Sequence, residues 1–250
     1  MWAAVRATAS LEESARCLHR LFLEGPEVNA TVVDQHLDEL KHAEDIREAV
    51  EQYRAVIGKG WEERFSGKAF SAVLFCFVSL RLIKPEVVVE TGCASGWTSA
   101  LLLSALHRNN KGHLWSIDIP PQAGQLSMDW TLPEGLSPGF LVPETLRDRW
   151  TLILGDVRHH LMPLLQQHRA IDVFFHDSDH TYQHMMWEYT SVWPHLRPGG
   201  LLISDDIGWN TAFWDFATAV RTPVVIHRSN PNLGTLVKRA SDKTASCSSG

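Results

Sequence analysis

Six acids fall where short apolar runs end: Glu90, Asp118, Asp156, Asp177 and the pair Asp205-Asp206. Carboxylates collected on one rim repel one another unless cations, hydroxyls or N–H donors meet them. Such a rim suits a ligand rich in hydroxyl and amine donors, a metal ion, or both. The first acid opens the turn Glu90-Thr91-Gly92-Cys93-Ala94-Ser95-Gly96-Trp97-Thr98. Its glycines let the backbone bend tightly and approach a ligand, and the helix that follows offers free N–H groups. A dinucleotide turn would read GxGxxG and cradle a pyrophosphate. This turn reads ExGxxxG, and the acid at its mouth disfavours phosphate and suits a ligand carrying positive charge. Taken alone it is equally an ordinary strand-to-helix turn. Asp118, about 28 residues further on, adds a carboxylate placed to accept from two ribose hydroxyls.

A second constellation is Phe175-His176-Asp177-Ser178-Asp179-His180-Thr181-Tyr182, with Ser204-Asp205-Asp206 further along. Neighbouring strands would bring Asp177, Asp205 and Asp206 to one edge of a crevice. Three oxygen ligands, with water and substrate completing the shell, suit Mg²⁺ or Mn²⁺ better than a soft metal. The competing reading is that paired Asp residues at strand ends cap helices or bind cofactor amines. Asp179 and His184 are further polar candidates, Asp179 either as an alternative ligand or as the group that orients His180. His159-His160 and His195 fall on helices and read as surface or packing residues.

The elements that must position these groups come in two parts. Up to about Leu82 the pattern is helical: Leu11–Leu23, Thr31–Ile57, and a more apolar helix over Ser66–Leu82. From Glu86 onward strands and helices alternate. Strands are expected at Val87–Glu90, His113–Asp118, Trp150–Gly155, Ile171–Asp177 and Leu201–Asp206, the last announced by the turn Arg197-Pro198-Gly199-Gly200. Two more are expected at Pro223–Arg228 and Thr235–Lys238, flanked by Asn230-Pro231-Asn232 and Gly234. Helices fill Trp97–His107, Val157–His168 and Tyr182–His195. Such alternation means an α/β fold with a largely parallel sheet covered on both faces. In that arrangement ligands bind outside the carboxyl ends of the strands, where the acids lie. Ile119–Thr145 is long and rich in Pro and Gly, and its Met128, Trp130 and Phe140 favour a lid or pocket wall. Trp209-Asn210-Thr211-Ala212-Phe213-Trp214 reads either as a wall of an acceptor pocket or as a helix start packing its apolar face, with Asn210 as its cap.

Composition narrows the function. With 23 basic against 29 acidic residues and a net charge of −6, the chain lacks the footprint of a phosphate-backbone binder, so no nucleic-acid partner is expected. Four scattered cysteines without a CxxC pair argue against a zinc site and a disulfide framework. The N-terminus lacks the order of a secretory signal, and the longest apolar stretch, around Ala69–Leu82, is too short to span a bilayer. The expectation is a soluble cytoplasmic protein with no membrane partner.

Together, Glu90–Thr98, Asp118, Gly155-Asp156 and Pro198-Gly199-Gly200 resemble the class I S-adenosylmethionine-dependent methyltransferases over about Phe70–Lys238. That resemblance implies a Rossmann-like, seven-stranded, mostly parallel sheet whose last strand runs antiparallel. It implies cofactor contacts at Glu90, Gly92, Gly96, Thr98 and Asp177, ribose binding by Asp118, and an adenine contact near Asp156 and Val157. The second constellation is similar to metal-dependent O-methyltransferases of the catechol, caffeoyl-CoA and macrolide-sugar types. Those place the ion on positions matching Asp177, Asp205 and Asp206, and a base where His180 stands. This chain departs from them in carrying Asp-Asp rather than Asp-Asn. A metal-bound hydroxyl is more acidic, and an imidazole accepts its proton near neutral pH. The expected organisation is a helical N-terminal extension over 1–68, a methyltransferase domain over 69–239 and a flexible tail over 240–250. A small-molecule acceptor is expected, with a sugar or secondary metabolite preferred, and self-association through the N-terminal helices is left open. The competing readings are a hydroxylase-like or other non-methylating enzyme on the same fold, a cofactor-binding scaffold without turnover, and a nicotinamide oxidoreductase, which the missing GxGxxG disfavours.

Overall fold

The structure is a computed structural model and describes residues 11–22, 28–58, 72–119, 132, 135–227 and 230–240. Helices come first: α1 (Leu11–Leu21), α2 (Ala30–Lys41) and α3 (Glu44–Ile57). The single helix expected over Thr31–Ile57 is two, parted at His42–Ala43. Glu44 and Asp45 open α3, where acids favour a helix N-terminus. Both Asp45 oxygens are held at 2.9 Å by Arg108. That long-range pair gives α3 an anchor of its own, which periodicity along the chain does not register. Of the helix expected over Ser66–Leu82, residues 66–71 lie outside the described residues. The remainder is a fully buried π-helical turn at Val73–Val78 running into the short α4 (Ser79–Ile83).

Alternation then begins: β1 (Val87–Thr91), α5 (Trp97–Asn109), β2 (His113–Asp118), β3 (Trp150–Leu154), α6 (Val157–His168), β4 (Ile171–His176), α7 (Tyr182–Val192), β5 (Leu196–Ser204), α8 (Ala212–Ala219), β6 (Val225–His227) and β7 (Asn230–Val237). The strands form one seven-stranded sheet in the order β3-β2-β1-β4-β5-β7-β6. β1 to β5 pair in parallel, and β7 runs antiparallel between β5 and β6. β5 begins five residues before Leu201, at Leu196, and takes in the whole of the expected turn. Its early backbone finds partners: Gly199 N–H donates to Lys238 O at 2.7 Å, and Lys238 N–H to Gly200 O at 3.0 Å. β7 likewise starts at Asn230, so Pro231 stands in a strand. Pairing of β7 with β5 covers only Gly234–Val237, which leaves Pro231 beyond that ladder, where its missing N–H is tolerated.

Successive side chains of the central strands enter different cores, as a period of two requires. Val88, Val173, Phe175, Leu201 and Ile203 join one core with α1–α5, while Val89, Phe174 and Leu202 join the other with α6, α7 and α8. Leu18, Val33, Leu40 and Ile46 of the N-terminal helices are part of the first core. Each such side chain, taken fully out of water, contributes about 1.5–3 kcal/mol. Strand order reverses between β1 and β4, so the crevice at their carboxyl ends is where this architecture binds ligands. No helix among the described residues is long and apolar enough to cross a membrane.

Candidate active site

The glycine turn lies at that reversal. Gly92 has φ +77°, and a Cβ there would stand 1.9 Å from the Asp177 carbonyl oxygen. The turn thus packs directly on the chain that leaves β4. Gly96 opens α5 at φ +89°, with Gly139 Cα 2.7 Å from where its Cβ would be. Gly139 N–H donates to Ala94 O at 2.8 Å and Leu141 N–H to Ser95 O at 2.9 Å. The C-terminal part of the Ile119–Thr145 segment, with its half-buried Phe140, therefore braces the turn. Met128 and Trp130, the other expected wall residues, lie outside the described residues.

Asp118 spans this turn from β2. Its Oδ2 accepts from Cys93 N–H at 2.9 Å and Ala94 N–H at 2.7 Å, and its Oδ1 from Ile119 N–H at 2.7 Å. A carboxylate has about four lone-pair sites, so acceptor capacity remains on the outer oxygen. Thr98 is half-buried in the first turn of α5. Asp156 caps α6, its Oδ1 accepting from Arg158 N–H at 2.8 Å, and Val157 beneath it is core. Gly155 N–H donates to Asp118 O at 2.8 Å, which keeps this strand end beside the ribose candidate.

Glu90 is not at the mouth of the turn but sealed beneath it, without solvent exposure. Its Oε2 accepts from Ser99 and Ser116 hydroxyls, both at 2.6 Å, while Oε1 is buried with no hydrogen-bond partner. Burial pushes its carboxyl up to about 7 against the pull of the two serines. The folded protein therefore holds this proton more tightly than the unfolded chain does, so stability falls as pH rises from about 4.5 to about 7 and the loss is complete above that window. Glu90→Gln is expected to flatten that part of the curve of melting temperature against pH, measured on ligand-free protein. An unchanged slope would remove Glu90 as its source.

Across the crevice stand the groups that come after β4 and β5. The Asp177 side chain retains 32% of its exposure through the crevice opening. Burial, then Asp205, Asp206 and Glu90, push its carboxyl well above the usual range. Asp206 is 2% exposed, holds a left-handed backbone at φ +49°, and has a buried Oδ1 without a hydrogen bond. His180 lies between these carboxylates, its Nε2 3.7 Å from Asp177 Oδ1 and 4.0 Å from Asp206 Oδ2. That nitrogen is buried and makes no hydrogen bond. Burial, reinforced by His176, holds the imidazole below its usual value despite the Asp206 charge. Trp209, 56% exposed, leans on the His180 ring at 5.3 Å. Asn210 does two jobs: its Nδ2 donates to His180 O and its Oδ1 accepts from Ala212 N–H at the start of α8, both at 2.8 Å. Asp179 closes its own turn by accepting from Thr181 N–H at 2.8 Å.

Three crowded carboxylates with a buried, unbonded oxygen have the donor chemistry of a hard dication site. Among the described residues, however, no three His, Cys, Asp or Glu side chains stand in a metal-holding arrangement. The same crevice has the acceptor chemistry for a cationic nucleoside: Asp118 with capacity left on its outer oxygen, and the unpartnered Glu90 Oε1 beneath the turn.

Sequence reasoning missed Glu188. It is fully buried on α7 and gathers Thr91, His176, Ser178 and His184 around one carboxylate. Burial pushes it up, but the His176 charge and the hydrogen bonds of both imidazoles hold it well below the usual range. The available signal was the spacing of His184 and Glu188, four residues apart and so on one face of a helix.

Residues 89–207 match the family model of a methyltransferase domain. That stretch is a methyltransferase domain. Its fold is that of class I S-adenosylmethionine-dependent enzymes. The SAH-bound methyltransferase PaMTH1 of Podospora anserina superposes with a TM-score of 0.54 at 13% identity, covering 84% of this chain and 96% of that one. TomG of Streptomyces achromogenes, an O-methyltransferase of tomaymycin synthesis solved with SAM, gives 0.52 at 16% identity over 84% and 96%. CalS11, a TDP-rhamnose 3′-O-methyltransferase of calicheamicin biosynthesis, gives 0.50 at 15% identity over 83% and 93%. No curated protein matches the sequence. The matched stretch runs from inside β1 to just past Asp206, and both constellations fall within it.

Proposed function

We propose that this methyltransferase acts on a hydroxyl of a small molecule, with a divalent cation as helper. The observation that carries the reading is His180 Nε2, unbonded and set between Asp177 and Asp206 across the crevice from the glycine turn. S-adenosylmethionine supplies the methyl group as a sulfonium. Asp118, with acceptor capacity left, suits the ribose hydroxyls, and the negative rim offsets the sulfonium charge. His180 Nε2 accepts the hydroxyl proton as the oxygen–carbon bond forms and the carbon–sulfur bond breaks. Asp177, Asp205 and Asp206 would hold Mg²⁺ or Mn²⁺, which makes a bound hydroxyl more acidic. The enzyme's main work is to keep oxygen, methyl and sulfur in line.

Trp209 beside His180 offers an apolar face to an acceptor whose hydroxyls meet the carboxylates, which favours a sugar or a hydroxylated secondary metabolite. TomG and CalS11 carry the same reaction type in their names. The net charge of −6 disfavours nucleic acid as acceptor. The test is a panel of sugar, phenol and polyketide acceptors assayed with S-adenosylmethionine, before and after chelation and with Mg²⁺ or Mn²⁺ restored. Methylation that falls on chelation and returns with the ion is expected. Activity indifferent to both steps would remove the metal, and methylation of nitrogen acceptors only would remove the hydroxyl.

A further inference from the structure

Glu188 is a buried acid that the methyl-transfer chemistry above does not use. Its oxygens collect hydrogen bonds from both sides of the crevice. Oε2 accepts from Thr91 Oγ1 at 2.8 Å and from His176 Nδ1 at 2.6 Å. Oε1 accepts from Ser178 Oγ at 2.7 Å and from His184 Nε2 at 2.8 Å. Thr91 immediately precedes Gly92, while His176 and Ser178 flank Asp177. A carboxylate has about four acceptor sites, and here four donors occupy them, so shifting one donor disturbs the others.

We propose that Glu188 is a positioning residue that ties the glycine turn to the loop carrying Asp177 and His180, so that filling the first orders the second. The inference rests on reading that turn as the S-adenosylmethionine site. The strand ladder does not reach far enough to do this work. Its last bond, Asp177 N–H to Thr91 O at 2.8 Å, stops short of Ser178. Asn210 holds the His180 carbonyl from the β5 side, and Asp179 accepts from Thr181 N–H in its own turn and stands 4.0 Å from Nδ1 of His184, which is itself bonded to Glu188. Beside the backbone packing of Gly92 on Asp177, the side-chain path from Thr91 through Glu188 to Ser178 is a hydrogen-bonded link between the two functional segments.

Glu188→Gln keeps the volume but turns one acceptor oxygen into an NH₂ donor, facing two of the four donors with the wrong partner. Hydrogen exchange of the full chain, with and without S-adenosylhomocysteine, reads the consequence segment by segment. In the parent protein, binding is expected to slow exchange in both 91–98 and 176–181. In Glu188→Gln the turn should keep its gain in protection, while the gain over 176–181 drops about tenfold, the order of a typical coupling between sites. Thr91→Val removes one donor and leaves the acid in place. It should lose the same gain in part, and it decides the matter alone if Glu188→Gln fails to fold. Equal protection of 176–181 in parent and variant would overturn the proposal. So would a parent loop indifferent to the ligand, or a variant in which both segments loosen together, the mark of a merely structural role. Absence of S-adenosylhomocysteine binding to the parent, seen by calorimetry, would be a separate failure, that of the cofactor reading, and would take the proposal with it.

Discussion

His180→Ala is expected to lower turnover about 10²- to 10⁴-fold, the range a positioned proton acceptor contributes, while leaving affinity for S-adenosylmethionine nearly unchanged. The split comes from where the ring stands. Its Nε2 faces Asp177 and Asp206 rather than the glycine turn, and it makes no hydrogen bond that holds the fold together. The side chain is 13% exposed, so truncation opens a small cavity beside Trp209. His180→Gln controls for that by keeping most of the volume and removing the basic nitrogen. Calorimetry with the cofactor and single-turnover methylation with the best acceptor from the panel give the two readouts. Equal losses in both would make His180 a structural residue and leave the proton without an acceptor.

Gly92→Ala should be the most damaging single methyl that can be added to the site. A left-handed backbone costs a non-glycine residue about 1–2 kcal/mol, and overpacking a filled space costs about 1–3 kcal/mol more. The obstacle at 1.9 Å is the Asp177 carbonyl, part of the backbone, so no side-chain rotation relieves it. Relief requires β1 and β4 to part at the crevice, which moves the glycine turn away from the Asp177 loop. Loss of S-adenosylmethionine binding and a fall of melting temperature of several degrees are expected. Gly199→Ala is the control: its φ is +80° but a Cβ there meets nothing within 4 Å, so only the backbone cost applies. If both variants melt alike, the contact with Asp177 is not what demands glycine at 92.

The two constellations were readable in the chain because each is local. Glu90–Thr98 lies within one turn, Asp177–Thr181 within another, and the β-branched runs before them alternate between two cores. The antiparallel last strand came from the resemblance and agrees with β7. The break at His42–Ala43 was not readable, because Asp45 finds its partner in Arg108, far along the chain. Pro231 and Asn232 carry turn chemistry, yet they fall inside β7, at the register shift between Asn230 and Gly234 in its pairing with β6. Glu188 was invisible for the same reason as Asp45: its partners lie on β1, at the end of β4 and in the loop beyond.

Sequence by itself determined the alternating α/β order, the glycine turn at the end of β1, and the acids that end the strands. Those properties need only backbone freedom and a period of two along the chain. Only the tertiary structure decided which acids face the crevice and which are sealed inside. It put Glu90 under the turn with one oxygen unpartnered, set Asp118 to brace the turn it was expected merely to face, and left His180 between two carboxylates. The physical reason is that burial and pairing of a charged group depend on surfaces brought together by distant segments, and a carboxylate's behaviour reflects its surroundings rather than its neighbours in sequence.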